Sequence, residues 1–365
     1  MFTKKEYKDF DRTLVLIVLL IFIIGCLAIY SAQQAKGLAF DKSFLLKQII
    51  WLAIGSLVLA ASISVSYQRF IDFAYIIYGI NLGLLFLVLI LGHTRLGAQR
   101  WFSIAGFAFQ PSEFIKVSLI LAVSNYIGSH QDEMSSLKNL IVPIMLFSIP
   151  FGLVVLQPDL GTAILLIPIF FSMLLMGGCR IKYLALMALT GMVSLPFAWQ
   201  FLREYQKQRL LVFLNPNIDP LGSGYNIIQS KIAIGSGGLL GKGWLNGTQN
   251  QLNFLPERHT DFIFSVIGEE WGFVGAACVL ALFFILTKKA LDISRLTSDA
   301  YGTSVAGGIA VMLAMHVIIN IGMTIGLMPV VGIPLPLVSY GGSSLVATLI
   351  AIGLLLNVGM RRSTF

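Results

Sequence analysis

Four short stretches hold the residue types that could carry chemistry. The first, LPERHTDFIFSVIGEEWG (255–272), sets Asp261 where a polar segment meets an apolar run. A carboxylate at such a boundary acquires a raised pKa and can then take a proton from a hydroxyl group. The same position suits a plain helix N-cap made by Thr260 or Asp261, and spacing alone puts the cap slightly ahead. Glu269 and Glu270 follow deeper in the apolar run. At least one of them is expected to bond to a neighbouring helix or to the segment before it. The second stretch, FQPSEFIK (109–116), starts a helix at Pro111 and Ser112 and sets Glu113 and Lys116 three residues apart, where opposite charges pair. It reads equally as an ion pair that orients a helix and as the lining of a cavity for a polar head group.

The third stretch, QPDLGT (157–162), puts Asp159 in a tight connection. Capping the helix that follows is its expected main role, with cavity lining as the lesser one. The fourth, PVVGIPLPLVSYGGSS (329–344), includes Ser343 and breaks apolar sequence with Pro329, Pro334 and Pro336. Irregular backbone at membrane depth must line a cavity or be buried in protein, so an extended or re-entrant stretch is expected. Between the third stretch and Asp261 runs a long segment, 201–261, with Arg203, Lys207, Arg209, Lys231, Lys242 and Arg258. Such a basic face attracts an anion such as a pyrophosphate. The glycines of GSGG (235–238) resemble a phosphate cradle but lack the P-loop spacing. Cys26, Cys179 and Cys278 form no CxxC pair, and His93, His130, His259 and His316 form no HxxxH or HExxH pattern, so no metal framework is readable.

The elements that must position these residues are membrane spans. Of 365 residues, 57% are hydrophobic and 12% charged, against about 25% charged in soluble domains. The net charge of +8 does not point to nucleic acid, because most of the charges bracket apolar runs. A span needs roughly 20 apolar residues. Ten candidates centre on 13–31, 48–66, 71–92, 113–128, 140–157, 160–178, 182–200, 267–287, 304–328 and 337–360. The chain therefore reads as a single all-α integral membrane domain over 1–365, with 201–261 as a large loop between the seventh and eighth spans. The first apolar run lacks a small-residue cleavage site and reads as a retained helix. With the N-terminus in the cytoplasm, short inner loops and tails hold 13 Lys and Arg residues (Lys4, Lys5, Lys8, Arg12, Arg69, Lys138, Arg180, Lys182, Lys288, Lys289, Arg295, Arg361, Arg362). Short outer loops hold 5 (Lys36, Lys42, Lys47, Arg95, Arg100). That bias places both termini inside and 201–261 outside.

Residue reasoning reaches a ten-helix protein with a cavity, acids near its floor and a basic loop above it. A transporter fits that as well as an enzyme does. The motifs FQPSEFIK, QPDLGT, LPERHTDFIFSVIGEE and PLPLVSYGGSS, in this order, resemble the SEDS family (shape, elongation, division, sporulation) over essentially the whole chain. Within it, SKIAIGSGGLLGKGWLNGTQNQLNFLPERHTDF (230–262) is similar to the elongation branch. The resemblance implies a peptidoglycan glycosyltransferase that polymerises lipid II, with Asp261 as the essential aspartate in place of the capping role. It maps Glu113, Lys116 and Asp159 onto sensitive positions beside the same cavity. Arg203, Arg209, Lys231, Lys242 and Arg258 are then unranked candidates for the leaving pyrophosphate of an inverting transfer. No cofactor is implied with certainty, and a divalent cation is compatible. The implied partners are a class B penicillin-binding protein and other proteins of the elongation complex, besides lipid II and the undecaprenyl-pyrophosphate-linked glycan. The only SxxK, Ser135 to Lys138, lies in a short loop with no room for a crosslinking domain. Gly307 and Gly308 are small enough to admit a partner helix or to pack inside the bundle. A lipid-linked sugar flippase is the alternative reading.

Overall fold

The computed structural model describes residues 9–34, 43–95, 98–104, 107–220, 222 and 224–361. Lys4, Lys5, Lys8, Lys36, Lys42 and Arg362, used above for orientation, lie outside them. Ten long helices stand where spans are expected: α1 (Arg12–Ala32), α2 (Ser43–Ser64), α4 (Ala74–Leu91), α5 (Pro111–Ser129), α6 (Ile141–Leu156), α7 (Leu160–Met176), α8 (Ile181–Phe201), α12 (Ile263–Leu296), α13 (Ala300–Thr324) and α14 (Gly342–Arg361). A short α3 (Tyr67–Asp72) joins α2 to α4, and α9 (Glu204–Leu214), α10 (Tyr225–Ser236) and α11 (Thr248–Gln251) occupy the long loop. The protein is an integral membrane protein of the all-α class, with one small sheet. The small sheet β1 (His93–Arg95), β2 (Ala98–Ile104) and β3 (Phe107–Phe109) is antiparallel in chain order and fills the connection from α4 to α5.

Seven of the ten helices are long and apolar enough to cross a bilayer alone, and α7 and most of α8 are shorter apolar stretches. The tenth, α5, carries Glu113 and Lys116 and is buried along most of its length. It stands at the centre with α13 and α14, whose residues are also mostly buried. Around them α2 packs on α14, α4 and α7 on α5, and α1 and α13 on α12. These outer helices keep exposed Leu, Ile and Phe on one side, as lipid-facing helices do. Helix α8 is exposed on nearly every side and meets the bundle mainly through α7.

Several span ends differ from the sequence reading, and in the last three spans the cause is visible. The ninth span ends at Thr324, because the chain turns at Gly326 with φ 78°. The tenth starts at Gly342, because the proline-rich run before it is non-helical. The eighth is longer than expected at both ends and is broken at Gly272 (φ 66°, ψ −160°). Gly307 and Gly308 do not face outward. A Cβ on Gly307 would meet Met176 and one on Gly308 would meet Ile120 and Met173, so these glycines set helix spacing inside the bundle.

Candidate active site

The segment 257–262 passes between the loop and the start of α12, and the proline-rich run holds it there. Tyr340 N–H donates to His259 O at 2.8 Å, and Ser339 Oγ donates to Thr260 O at 2.6 Å. Asn320 of α13 donates its Nδ2 hydrogens to Asp261 O at 3.0 Å and Ile333 O at 2.7 Å. Both contacts are to carbonyls, which fixes the orientation of the amide. The run approaches Asp261 so closely that a Cβ on Gly332, at φ 74°, would lie 3.4 Å from Asp261 Oδ2. As expected of irregular backbone at depth, Val331, Ile333, Leu335, Leu337 and Val338 of this run are buried.

Neither Thr260 nor Asp261 caps α12. The N-cap is Phe262, and no side chain bonds there. The Asp261 carboxylate is therefore free of the structural role that spacing alone favoured. Burial pushes its pKa up from 3.8 to about 6, and Glu257 adds to the rise. Arg209 and Arg100 oppose it through their charge. The group is thus a base poised within the physiological range.

Those two arginines line one shallow open cleft, with Pro158, Tyr205, Gln206, Pro329 and Val330 among its walls. Arg209, on α9, donates to Val330 O at 3.2 Å, and its guanidinium lies 5.8 Å from the Tyr205 ring centroid. Burial and the neighbouring charge of Arg100 both lower its pKa, while Asp261 raises it. Among the described residues no carboxylate forms an ion pair with Arg209. Arg100, on β2, donates to Gln157 O at 3.2 Å, to Pro158 O, and to Asp159 Oδ1 at 3.4 Å. Two cations line one cleft and only Arg100 is paired with a carboxylate, Asp159, which leaves the charge of Arg209 available to an anion.

Asp159 fills the role expected of it and anchors this wall. Its oxygens accept from Thr162 N at 3.2 Å and Thr162 Oγ1 at 3.0 Å, capping α7. They also accept from Ser112 Oγ at 2.9 Å and Gln110 Nε2 at 3.2 Å. Ser343 belongs to the same tie, accepting from Gln110 N at 3.0 Å and donating to Ala108 O at 3.2 Å. It therefore joins α14 to the start of α5 and is not a wall of the cleft.

Other candidates are placed elsewhere. Glu113 and Lys116 do pair, at 2.8 Å, but inside the central bundle, and neither lines the cleft. Lys116 Nζ also donates to His316 Nε2 at 2.9 Å, and His316 Nδ1 donates to Met312 O at 2.7 Å. A lysine ammonium only donates, so this imidazole is neutral with its proton on Nδ1. Lys242 is held 2.7 Å from Glu269, which also accepts from Thr248 Oγ1 and Gln249 N. Glu270 accepts from Ser31 of α1 at 2.5 Å, so both acids bond outside their own helix. Arg258 is tied to Ala32 O at 2.5 Å and to Asn253. Arg203 is the N-cap of α9, and Lys231 is exposed beside Gly326. The GSGG stretch, 235–238, forms no phosphate cradle: Gly235 and Ser236 lie in α10, Gly237 N–H donates to Ile234 O at 3.3 Å, and Gly238 O accepts from Phe273.

Arg100, Asn320 and His316 were missed by the sequence reading. Asn320 and His316 carried a readable signal: two polar side chains four apart on one face of an apolar span. Arg100 carried none, being one basic residue in a short loop.

Comparison with known proteins agrees with this architecture. A profile of the family described as cell cycle protein, FtsW/RodA/SpoVE, matches residues 11–364. The peptidoglycan glycosyltransferase MrdB of Escherichia coli K12 is 40% identical over 363 residues, covering 98% of this chain and 96% of that protein. Among solved structures, one is a chain of a peptidoglycan synthase complex, studied for how it coordinates polymerization and crosslinking. It superposes with a TM-score of 0.82 at 35% identity, covering 98% of this chain and 99% of that one. The rod shape determining protein RodA of Thermus thermophilus gives a TM-score of 0.74 at 32% identity, covering 97% and 98%. The chain belongs to the FtsW/RodA/SpoVE family of cell cycle proteins.

Proposed function

We infer that this protein is a peptidoglycan glycosyltransferase that polymerises lipid II into glycan strands, with Asp261 as general base and Arg209 and Arg100 as the cations for the leaving pyrophosphate. The observation that carries the reading is the placement of Asp261: its carboxylate caps no helix and lies against Gly332 of the run whose Val330 and Val331 line the cleft of Arg209 and Arg100, beside that cleft and not in its wall. The family supports the class of reaction, and MrdB is named for the same activity. In the step proposed, Asp261 takes the proton from the 4-hydroxyl of the acceptor sugar. That oxygen attacks the anomeric carbon of the donor glycan, and the bond to undecaprenyl pyrophosphate breaks on the opposite face. One base with in-line attack inverts the α-linked donor to a β-linked product. The departing pyrophosphate gains negative charge, which preorganised cations stabilise more strongly than they stabilise the starting ester.

Both termini are assigned to the cytoplasm and the cleft to the outer face of the membrane, on the strength of the Lys and Arg bias. A class B penicillin-binding protein supplies crosslinking. The likeness to a chain of a complex that joins polymerization with crosslinking supports that pairing. A lipid-linked sugar flippase would use a similar cleft but no base.

The test is polymerisation of labelled lipid II by purified wild-type and Asp261→Asn protein. Loss of a general base costs roughly 10²–10⁴-fold. Wild-type-level polymerisation by the variant would exclude Asp261 as the base, and transport into vesicles without polymer would favour the flippase.

A further inference from the structure

At Gly272 the break in α12 frees the carbonyls of Glu269 and Glu270 and the amides of Phe273 and Val274 from helical pairing. The loop after α10 takes up all four. Lys242 and Gly243 donate to Glu269 O and Glu270 O at 3.0 and 2.9 Å. Gly238 O and Leu239 O accept from Phe273 and Val274 at 2.9 and 3.1 Å. Gly241, at φ 80°, lies so near that a Cβ on it would strike the Glu270 carbonyl. The loop is thus paired to the helix backbone without water, yet it leaves Leu239 and Leu240 73% and 80% exposed.

The height of this loop follows from the opposite end of the molecule. There Asp11 and Lys289 form an ion pair at 2.9 Å between the start of α1 and the last turns of α12. Phe273 stands sixteen residues from Lys289, and Leu27 stands sixteen from Asp11. Each interval is about 24 Å of helix at ~1.5 Å per residue. Trp244 ties the loop to that level on α1 as well. Its Nε1–H donates to Leu27 O at 3.3 Å, and its ring centroid lies 5.7 Å from that of Tyr30. The hydrocarbon layer is ~30 Å thick. Charges of this kind sit at or beyond the edge of the hydrocarbon; with the ion pair at the near edge, the loop lies inside the far edge, and helix tilt lowers it further. Backbone facing lipid at such depth has to be paired within the protein, and the exchange with α12 pairs the four helix groups that the break at Gly272 leaves open.

We propose that the loop 237–244 is a lipid-seated wedge, with Leu239 and Leu240 immersed in the phospholipid acyl chains of the leaflet at the Asp261 end and Trp244 at its interface. Tryptophan and tyrosine favour that interface. The Lys242 ammonium is held by Glu269 at 2.7 Å, so the charge in this loop is paired within the protein.

Depth-dependent quenching tests this on the full chain with Cys26, Cys179 and Cys278, all free, replaced by Ala. A bimane label is placed at Leu240→Cys, at Leu280→Cys in the span, and at Glu204→Cys, whose side chain is 87% exposed. The protein is held in nanodiscs of phosphatidylethanolamine and phosphatidylglycerol, with or without phosphatidylcholine brominated on its acyl chains. The expected result is that brominated lipid quenches the Leu240 label several-fold more than the Glu204 label and as strongly as the Leu280 label. Aqueous iodide should spare it. Iodide quenching like that at Glu204, with none from brominated lipid, overturns the proposal. Lipid quenching that vanishes as the chain-to-lipid ratio rises also overturns it, in favour of a second copy on that face. The same comparison with the label at Leu239 gives an independent reading where the Leu240 variant does not fold.

Discussion

With its carboxyl raised to about 6, Asp261 titrates within the range where polymerisation is assayed. A general base works only when ionised, so the rate should fall about tenfold per pH unit below about pH 6 and level off above it. The same shift has the opposite sign for stability. The folded protein holds the proton up to about pH 6, whereas an ordinary aspartate loses it near 3.8. The folded state therefore loses stability as pH rises from about 4 to 6, by on the order of 3 kcal/mol for this group. Asp261→Asn should raise the thermal midpoint in detergent at pH 8 and leave it unchanged at pH 4; an equal shift at both would mean that the carboxylate is not strained. Arg209→Gln should cost roughly 10–100-fold in polymerisation with little change in stability, since a hydrogen bond to a charged group is worth ~1.5–3 kcal/mol. Lys242→Gln should instead lower the thermal midpoint, because it strips buried Glu269 of its cation. Loss of stability in the first variant and not in the second would reverse this assignment. Sequence exposed Asp261 through its boundary position but not its freedom from capping, which depends on where the backbone of Phe262 turns. Nor could it rank the basic residues, because their acceptors come from α1, α12 and the proline-rich run, far away along the chain.

At the scale of helices, the pair on α5 is a different matter from the cleft. Glu113, Lys116 and His316 join α5 to α13 at the buried centre. Glu113→Ala alone leaves a buried ammonium with only an imidazole for company and should cost ~3–5 kcal/mol. Lys116→Ala should cost a similar amount. The double variant Glu113→Leu with Lys116→Met should recover most of that stability and polymerisation with it. The shortfall is the unpaired His316 Nε2, ~1–3 kcal/mol. Thermal melts and lipid II polymerisation on the same preparations check this, and stability without activity in the double variant would tie the pair to substrate after all. The i,i+3 spacing announced the pair, and Pro111 announced the helix. What spacing does not contain is the direction in which α5 faces, which its packing against α13 and α14 decides. The ten helices themselves were legible because hydropathy averages over many residues. Their ends were not, since single glycines and prolines such as Gly326, Gly272 and Pro336 set them.

For the molecule as a whole, the distribution of Lys and Arg predicts one orientation. A membrane-impermeant thiol reagent added outside cells should label a cysteine at Asn246 and miss one at Ser363, which lies outside the described residues; the reverse pattern would invert the assignment. A class B penicillin-binding protein should copurify and raise polymerase activity. Activity unchanged by its addition would leave the pairing without a regulatory role. The sequence could not show where such a partner docks, because the small residues it offers, Gly307 and Gly308, are consumed by Met176, Ile120 and Met173. One helix is consumed by almost nothing. Held mainly by α7, α8 leaves most of its apolar surface uncovered by protein, and a span adjusts its tilt when its apolar length and the bilayer thickness differ. Its last turn leads through Leu202 straight into α9, which carries Arg209. Polymerisation should then vary with the acyl-chain length of the bilayer around the purified protein, and a rate indifferent to that length would mean that the bundle alone holds α9.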